Sequence, residues 1–410
     1  MVKIAILGFG TVGSGVAEVI MKNANTIAAN AADKIEVKYI LDLREFPDSP
    51  FADRVIHDFS VIENDPEVQV VVETMGGLKP AYDFTRRCLM RGKHVVTSNK
   101  EMVAQYGAEL LALAHEKNLN YLFEASVGGG IPIIRPLSQC LAANELVEIC
   151  GILNGTTNYI LTRMIKSKLS FDQALSEAQE KGYAERDPSA DVDGHDACRK
   201  ICILSSLAFG RHIYPSQVET RGIRDVTLSD VAYARSGGMV LKLLGRSRKL
   251  SDGKVGIFVS PHLVDTECPL ASVEDVFNGI MVRGNAIGDV MFYGRGAGKL
   301  PTASAVVADV IDAAKHFKAR KYLDWREGGD DVVGQYRELV TKLYLRAEGG
   351  EALRARAQAL FPGLTMLSGE GDARGEFAFV TAQMDWKALD EAAKTFAQEA
   401  HVLMEMPVLA

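Results

Sequence analysis

The chain has 410 residues, 47% of them hydrophobic and 24% charged, with a formal net charge of −7. That length exceeds one ordinary core, so two or three domains are expected, each with ample core material. The acidic balance gives no reason to expect nucleic acid or an anionic membrane surface as partner. No apolar run approaches the roughly 20 residues of a membrane span, and the opening MVKIAILGFG has no leader pattern. The cysteines at 88, 140, 150, 198, 202 and 268 form no CxxC pair and read as reduced thiols. A cytoplasmic protein is expected.

Val2 to Leu7 is a short apolar run that predicts a buried parallel strand. It enters Gly8-Phe9-Gly10-Thr11-Val12-Gly13, followed by Val16, Val19 and Ile20 at helical spacing. Strand, G-x-G-x-x-G, helix is the dinucleotide fingerprint. The first glycine turns the chain, the second admits a pyrophosphate and the third lets helix and strand approach, while the helix N-terminus supplies amide donors. A second strand, Ile35 to Leu41, ends at Asp42 after a polar, Ala/Asn-rich insertion around residues 23 to 33. Asp42 suits the ribose hydroxyls of NAD and Arg44 the extra phosphate of NADP, which leaves the choice open.

Further βαβ units follow. Val68 to Glu73 runs into Thr74-Met75-Gly76-Gly77, then a helix through Leu89. His94 to Thr97 runs into Ser98-Asn99-Lys100, then a helix from Met102 to Glu116, and Asn120 to Glu124 is a fifth strand. Ligands of open parallel sheets lie beyond the strand carboxyl ends, where Thr74, Lys100 and Glu124 fall. His57 and His94 read as ordinary surface or packing residues.

The segment Ser126 to Pro132 carries three consecutive glycines and must be a turn. It suits a hinge between domains, and equally a hard cation held by carbonyl oxygens beside Glu124. Strand Val147 to Leu153 then leads to Asn154-Gly155-Thr156-Thr157-Asn158-Tyr159, which suits a polar pocket or a helix N-cap. Ser170 and Gln173 match a capping box for the helix Phe171 to Lys181.

The stretch GYAERDPSADVDGHDACRK, residues 182 to 200, sets five carboxylates ahead of Lys200 in an apolar helical pattern. Asp196 and Lys200 are four apart and share one helical face. Such a lysine is a candidate proton-transfer group; the plainer alternative is a capped helix start with a snorkelling lysine. Gly294 to Thr302 is a second glycine-rich helix start, before the helix Ala303 to Ala314.

From about Tyr322 to Gly334 the composition is that of a linker. Beyond it the pattern predicts strand Lys342 to Arg346, helix Glu351 to Phe361 and strand Leu364 to Leu367. Strand Glu376 to Thr381, helix Trp386 to Gln398 capped by Asp385, and strand His401 to Met406 complete a βαββαβ, ferredoxin-like plan.

Taken in order, GFGTVG, TSNK, EASVGGGIPI, NGTTNYIL, GYAERDPSADVDGHDACRK and GRGAGKLPTASAV resemble the homoserine dehydrogenase family over roughly residues 1 to 315. The resemblance implies NAD(P)-dependent, reversible reduction of L-aspartate 4-semialdehyde to L-homoserine in threonine and methionine biosynthesis. It implies an α/β fold with a Rossmann domain (1–130, completed by about 295–320), a substrate-binding and dimerisation domain (131–294) and an ACT-like domain (335–410). A homodimer or homotetramer is expected. The implied cofactor contacts are Gly8, Phe9, Gly10, Thr11, Val12, Gly13, Thr74, Lys100 and Gly298. Lys200 would be the proton donor and Lys100 a second pocket lysine. Glu185 and Asp196 would hold the substrate amino group with Thr156 nearby, and Glu124 with the carbonyls of Val127, Gly129 and Ile131 would bind sodium.

The C-terminal stretch departs from the ligand-sensing pattern, because Glu348-Gly349-Gly350 stands where Asp-x-Pro-Gly would follow the first strand. Two other readings are weighed. A Rossmann oxidoreductase of a related amino-acid semialdehyde would, if phosphorylating, need an activated cysteine, and none is evident. A non-catalytic dinucleotide sensor has no evident need of Lys200.

Overall fold

The structure is a computed structural model that describes residues 1–31, 33–319, 323–369, 371–372 and 375–409. It divides into two compact units. The first comprises Met1–Glu145, Cys202–Pro215 and Gly294–Asp330, and the second Leu146–Ile201, Ser216–Tyr293 and Asp331–Ala410.

The first unit is a doubly wound parallel sheet. Its strands are β1 (Val2–Leu7), β2 (Ile35–Leu41), β3 (Val55–Ile56), β4 (Val68–Glu73), β5 (His94–Thr97) and β6 (Tyr121–Leu122), in spatial order β3-β2-β1-β4-β5-β6. That is the dinucleotide-binding order, with its switch point between β1 and β4. The central strands are apolar over most of their length because both faces are covered. Val70, Val71, Val72, Val95 and Val96 are all buried.

Helices α1 (Thr11–Lys22), α2 (Ala24–Ala31), α3 (Phe59–Asn64), α4 (Ala81–Met90) and α5 (Lys100–Glu116) connect these strands. The Ala/Asn-rich insertion forms α2 because Ala favours helix and Ile27 and Ala31 turn inward. The fifth strand is shorter than expected, since Glu124 enters a 3₁₀ turn.

In the second unit α6 (Gly155–Ser167), α7 (Phe171–Glu180), α8 (Ser189–Val192), the start of α9 (His195–Phe209) and α10 (Leu228–Ser236) accompany an eleven-stranded sheet. Its first strands are β7 (Leu146–Ile152), β8 (Glu219–Thr220), β9 (Met239–Lys249), β10 (Val255–Asp265), β11 (Phe277–Gly284) and β12 (Gly288–Arg295). Helix α11 (Lys299–Lys315) belongs to the first unit, except for its own loop entry it follows β12 directly.

The C-terminal stretch adds β13 (Val340–Glu348), α12 (Glu351–Leu360), β14 (Thr365–Leu367), β15 (Glu376–Val380), β16 (Met384–Asp385), α13 (Trp386–Ala397) and β17 (His401–Leu409). The sheet order is β12-β11-β7-β9-β10-β17-β13-β15-β14. The run β17-β13-β15-β14 is the ferredoxin-like order, and Asp385 caps α13 through the Ala388 amide (3.3 Å).

Residues 335–410, expected to follow a linker as their own domain, share one unit with β7 to β11. Strand β17 pairs with β10 through Leu263↔Val408 and Val264↔Leu409. The buried Arg346 of β13 also pairs with Asp230 of α10 at 2.8 Å. Nor is the linker loose. Tyr322, its expected start, lies outside the described residues, but Trp325 is buried against Gly107 and Phe123 and donates to His212 (2.9 Å).

Candidate active site

The first unit builds its cleft from backbone. Gly8 has φ +90°, open to glycine at no cost. A Cβ on Gly13 would stand 2.0 Å from the Gly8 carbonyl, so α1 can start hard against the turn only with glycine there. The Thr74 hydroxyl donates to the carbonyls of Leu7 (3.1 Å) and Gly8 (2.9 Å), tying the turn after β4 to the turn after β1. Glu73, fully buried, accepts from the Thr97 hydroxyl (2.6 Å) and the Met75 amide (2.8 Å); burial raises its carboxyl above the usual range. Asn99 caps α5 through the Met102 amide (3.0 Å) and donates to the Gly77 carbonyl (2.7 Å). Lys100 therefore opens α5 on a fixed frame. Thr97 also reaches Glu73 and Asn99 reaches Gly77, partners over twenty residues away that sequence spacing does not disclose.

A cleft of about 500 Å³ is lined by Gly8, Gly10, Asp42, Arg44, Thr74 and Met75 among others. Thr11 is exposed and Val12 half-buried at the start of α1, but the Phe9 ring is buried edge-on against Phe46 (5.0 Å). Phe9 can face a ligand only with its main chain, and its amide already donates to Asp42 (2.7 Å). Asp42 also takes Arg44, Nε and Nη2 each at 3.0 Å, and this guanidinium holds the carboxyl well below the usual range. His57, exposed at the cleft rim, sits 2.7 Å from the Asp42 carbonyl.

The two glycine-rich turns of this unit lie backbone to backbone. A Cβ on Gly129 would stand 2.3 Å from the Gly296 carbonyl, and the Gly130 amide donates to the Arg295 carbonyl (3.1 Å). Gly298 caps α11 at φ +123°. The Glu124 carboxylate accepts the amides of Ile133 (2.6 Å), Ile134 (2.7 Å) and Arg135 (2.9 Å). Both its oxygens are thus committed to the chain. Its own amide donates to Asp309 (2.8 Å), whose carboxyl burial pushes up to about 7. No group of three or more His, Cys, Asp or Glu side chains able to hold a metal occurs among the described residues.

The second unit builds from side chains. Lys200 and Asp196, one turn apart on α9, are 6% and 2% exposed. Lys200 Nζ donates to Asp196 Oδ2 (2.8 Å) and to the Leu153 carbonyl (2.8 Å) at the end of β7. The next residue, Asn154, caps α6 through the Thr157 amide (2.8 Å). Its Nδ2 donates to Asp196 Oδ2 (2.9 Å) and Asp191 Oδ1 (2.6 Å). Asn154 is thus both cap and clamp, a role its sequence spacing of 37 and 42 residues from those acids could not disclose. The Thr156 hydroxyl donates to the Tyr183 carbonyl (2.7 Å), holding the start of α6 to the loop that carries Glu185. Glu185 itself is exposed, and the structure does not bring it into contact with Asp196 or Lys200. A buried amine beside a carboxylate and a carbonyl can give a proton as its ammonium and take one back as the neutral amine, without bulk water.

Comparison with known proteins agrees. Residues 8–124 match the model described as homoserine dehydrogenase, NAD binding domain, and residues 132–311 the model described as homoserine dehydrogenase. A homoserine dehydrogenase from a Synechocystis species is 47% identical over 322 residues, covering 76% of this chain and 73% of that one. The crystal structure of a homoserine dehydrogenase from Thiobacillus denitrificans superposes with a TM-score of 0.90 at 33% identity, over 99% of this chain and 98% of that one. A hyperthermophilic archaeal homoserine dehydrogenase in complex with NADPH superposes with a TM-score of 0.66 at 29% identity, over 78% of this chain and 99% of that one. The chain belongs to the homoserine dehydrogenase family.

Proposed function

We propose that the chain interconverts L-aspartate 4-semialdehyde and L-homoserine, with Lys200 moving the proton at the substrate oxygen. The observation that carries this is the buried Lys200–Asp196 pair clamped by Asn154. When bound, the nicotinamide supplies hydride in one direction and takes it in the other. As hydride reaches the aldehyde carbon, charge builds on oxygen, and the Lys200 ammonium stabilises and protonates it. In the reverse direction the neutral amine accepts that proton. Asp196 holds Lys200 in place and, with Glu185 from the loop beside Thr156, offers carboxylates to the substrate ammonium.

The glycine turn and α1 start hold the pyrophosphate, with Thr74, Lys100 and Gly298 as further contacts. We assign NADP as the preferred cofactor: Asp42 accepts from the Phe9 amide and from Arg44 Nε and Nη2, while the exposed Arg44 keeps Nη1 outside that pair for a phosphate. A sodium ion would be held by the carbonyl oxygens of Val127, Gly129 and Ile131 rather than by the Glu124 side chain, whose oxygens accept main-chain amides. Residues 1–130 with 295–320 serve the cofactor, and 131–294 serve substrate and pairing of two or four copies in the cytoplasm. Residues 335–410 are an ACT-like module that braces the sheet. The product feeds threonine and methionine synthesis.

The test is reduction of NADP or NAD by L-homoserine, followed through the near-ultraviolet band of the reduced cofactor at alkaline pH with sodium present. Homoserine-dependent reduction, faster with NADP, is expected. A folded protein that reduces neither cofactor is a sensor or acts on another substrate.

A further inference from the structure

Lys242 on β9 is 2% exposed, and no carboxylate pairs with it among the described residues. Its ammonium donates instead to the Val273 carbonyl and to Asn158 Oδ1 (3.3 Å). A buried ammonium with no carboxylate in hydrogen-bond reach is unfavourable, and burial pushes this one down to about 8 against the more distant charges of Glu274 and Asp275. Leucine at this place in the sheet would avoid the penalty, so the position asks for a donor.

What it holds is a turn. Asn158, on the first turn of α6 and 1% exposed, donates through Nδ2 to the carbonyls of Val273 (3.2 Å), Asp275 (3.1 Å) and Phe277 (3.1 Å). The Thr162 hydroxyl donates to the Asn158 carbonyl (2.7 Å) and accepts the Asp275 amide (3.0 Å). Asp275 sits at φ +52°, a conformation a non-glycine residue keeps only when its surroundings impose it. Lys242, Asn158 and Thr162 together bolt residues 273–277 to α6.

That turn is the floor under the start of α6. A Cβ on Gly155 would stand 2.7 Å from the Val276 carbonyl. Immediately before Gly155 come Asn154, whose amide holds Asp196 (2.9 Å), and Leu153, whose carbonyl holds Lys200 (2.8 Å). A shift of the floor therefore reaches both groups through one residue of backbone.

We propose that Lys242 is a positioning residue for the reaction: through Asn158 and the 273–277 turn it holds the first turn of α6, and with it Asn154, Asp196 and Lys200, in place for the amino-acid substrate. This rests on the roles assigned to Lys200 and Asp196 above.

The test uses the full-length protein and compares Lys242→Met with Lys242→Gln. The methionine fills the space without donating, and the glutamine, one bond shorter than lysine, keeps an N–H donor for the Val273 carbonyl. Lys242→Met should lower kcat/KM for homoserine at least about fivefold while leaving the dissociation constant for NADP within about twofold of the parent. Lys242→Gln should recover more than half of that loss on a logarithmic scale. A smaller loss in Lys242→Met, a parallel loss of cofactor affinity, or no recovery in Lys242→Gln overturns the proposal. If Lys242→Met does not fold, Thr162→Val, which removes both hydroxyl bonds of the same bolt at nearly constant volume, is read by the same split between kcat/KM and cofactor affinity. A parent that turns over no homoserine overturns the functional reading and this one with it; an active parent with an unaffected Lys242→Met overturns this one alone.

Discussion

In the first unit the candidate cofactor site is made chiefly of main chain: glycine turns, strand ends and helix starts. In the second unit the candidate substrate site is made of buried side chains that hold one another, Asn154 to Asp196 and Asp196 to Lys200. A main-chain site tolerates most side-chain changes and fails where a new Cβ intrudes. A site of interlocked buried side chains fails at each member, because removing one leaves its partner buried and unmatched. Cofactor binding and substrate chemistry should therefore respond to different mutations.

The largest separation is expected at Asp196. Replacing it with Ala leaves the Lys200 ammonium buried without its carboxylate, and kcat/KM for homoserine should fall about a thousandfold. Equilibrium binding of NADPH, followed by its fluorescence, should be unchanged; a matching loss of binding would mean the two sites are not separable. Gly13→Ala should do the converse. Its Cβ would meet the Gly8 carbonyl at 2.0 Å, so cofactor affinity should drop about a hundredfold, and an unaffected titration would remove Gly13 from the site.

Arg44→Ala sharpens the cofactor side. It should raise KM for NADP about tenfold, the loss of one charge-assisted contact, and leave KM for NAD nearly unchanged. Equal effects on both cofactors would discard the phosphate role.

A separate probe is acid, which acts on stability rather than activity on the buried side of the comparison. His262 of β10 is fully buried, its Nδ1 2.8 Å from the Ser260 carbonyl, and burial pushes it down to about 3. The unfolded chain binds this proton as pH falls through the ordinary value of about 6.5, while the folded chain stays neutral to about 3. Between those values the unfolded state holds more protons, so stability is complete above about pH 6.5 and declines as pH falls, by up to about 5 kcal/mol from this group at the acid limit. His262→Phe, which keeps the stack on Phe258, should flatten that decline in Tm. Identical slopes for parent and variant would assign acid sensitivity elsewhere.

The same contrast explains what could be read from the sequence. Strands β1, β2, β4 and β5 and the glycine turn are local patterns, and each stands where its residues predict. So are the Asp196–Lys200 pair at helical spacing, the Ser170–Gln173 capping box and the order of the C-terminal elements. Strands β8 to β12 were not legible. Strand β9 buries Lys242 and Arg246 as well as its leucines, so no two-residue alternation of polar and apolar positions survives. The clamp role of Asn154 was equally hidden, because it depends on side chains brought together by folding rather than by spacing. The linker reading missed Trp325 for the same reason: a charged, glycine-rich stretch hides one aromatic anchor.

The central claim is that Lys200 serves the chemistry and not the cofactor, and Lys200→Ala tests it most directly when both properties are measured on one preparation. NADPH binding by fluorescence titration should match the parent, while homoserine-dependent reduction of NADP falls by about a thousandfold or more. Near-parental turnover in that variant would contradict the account, and so would loss of NADPH binding together with turnover.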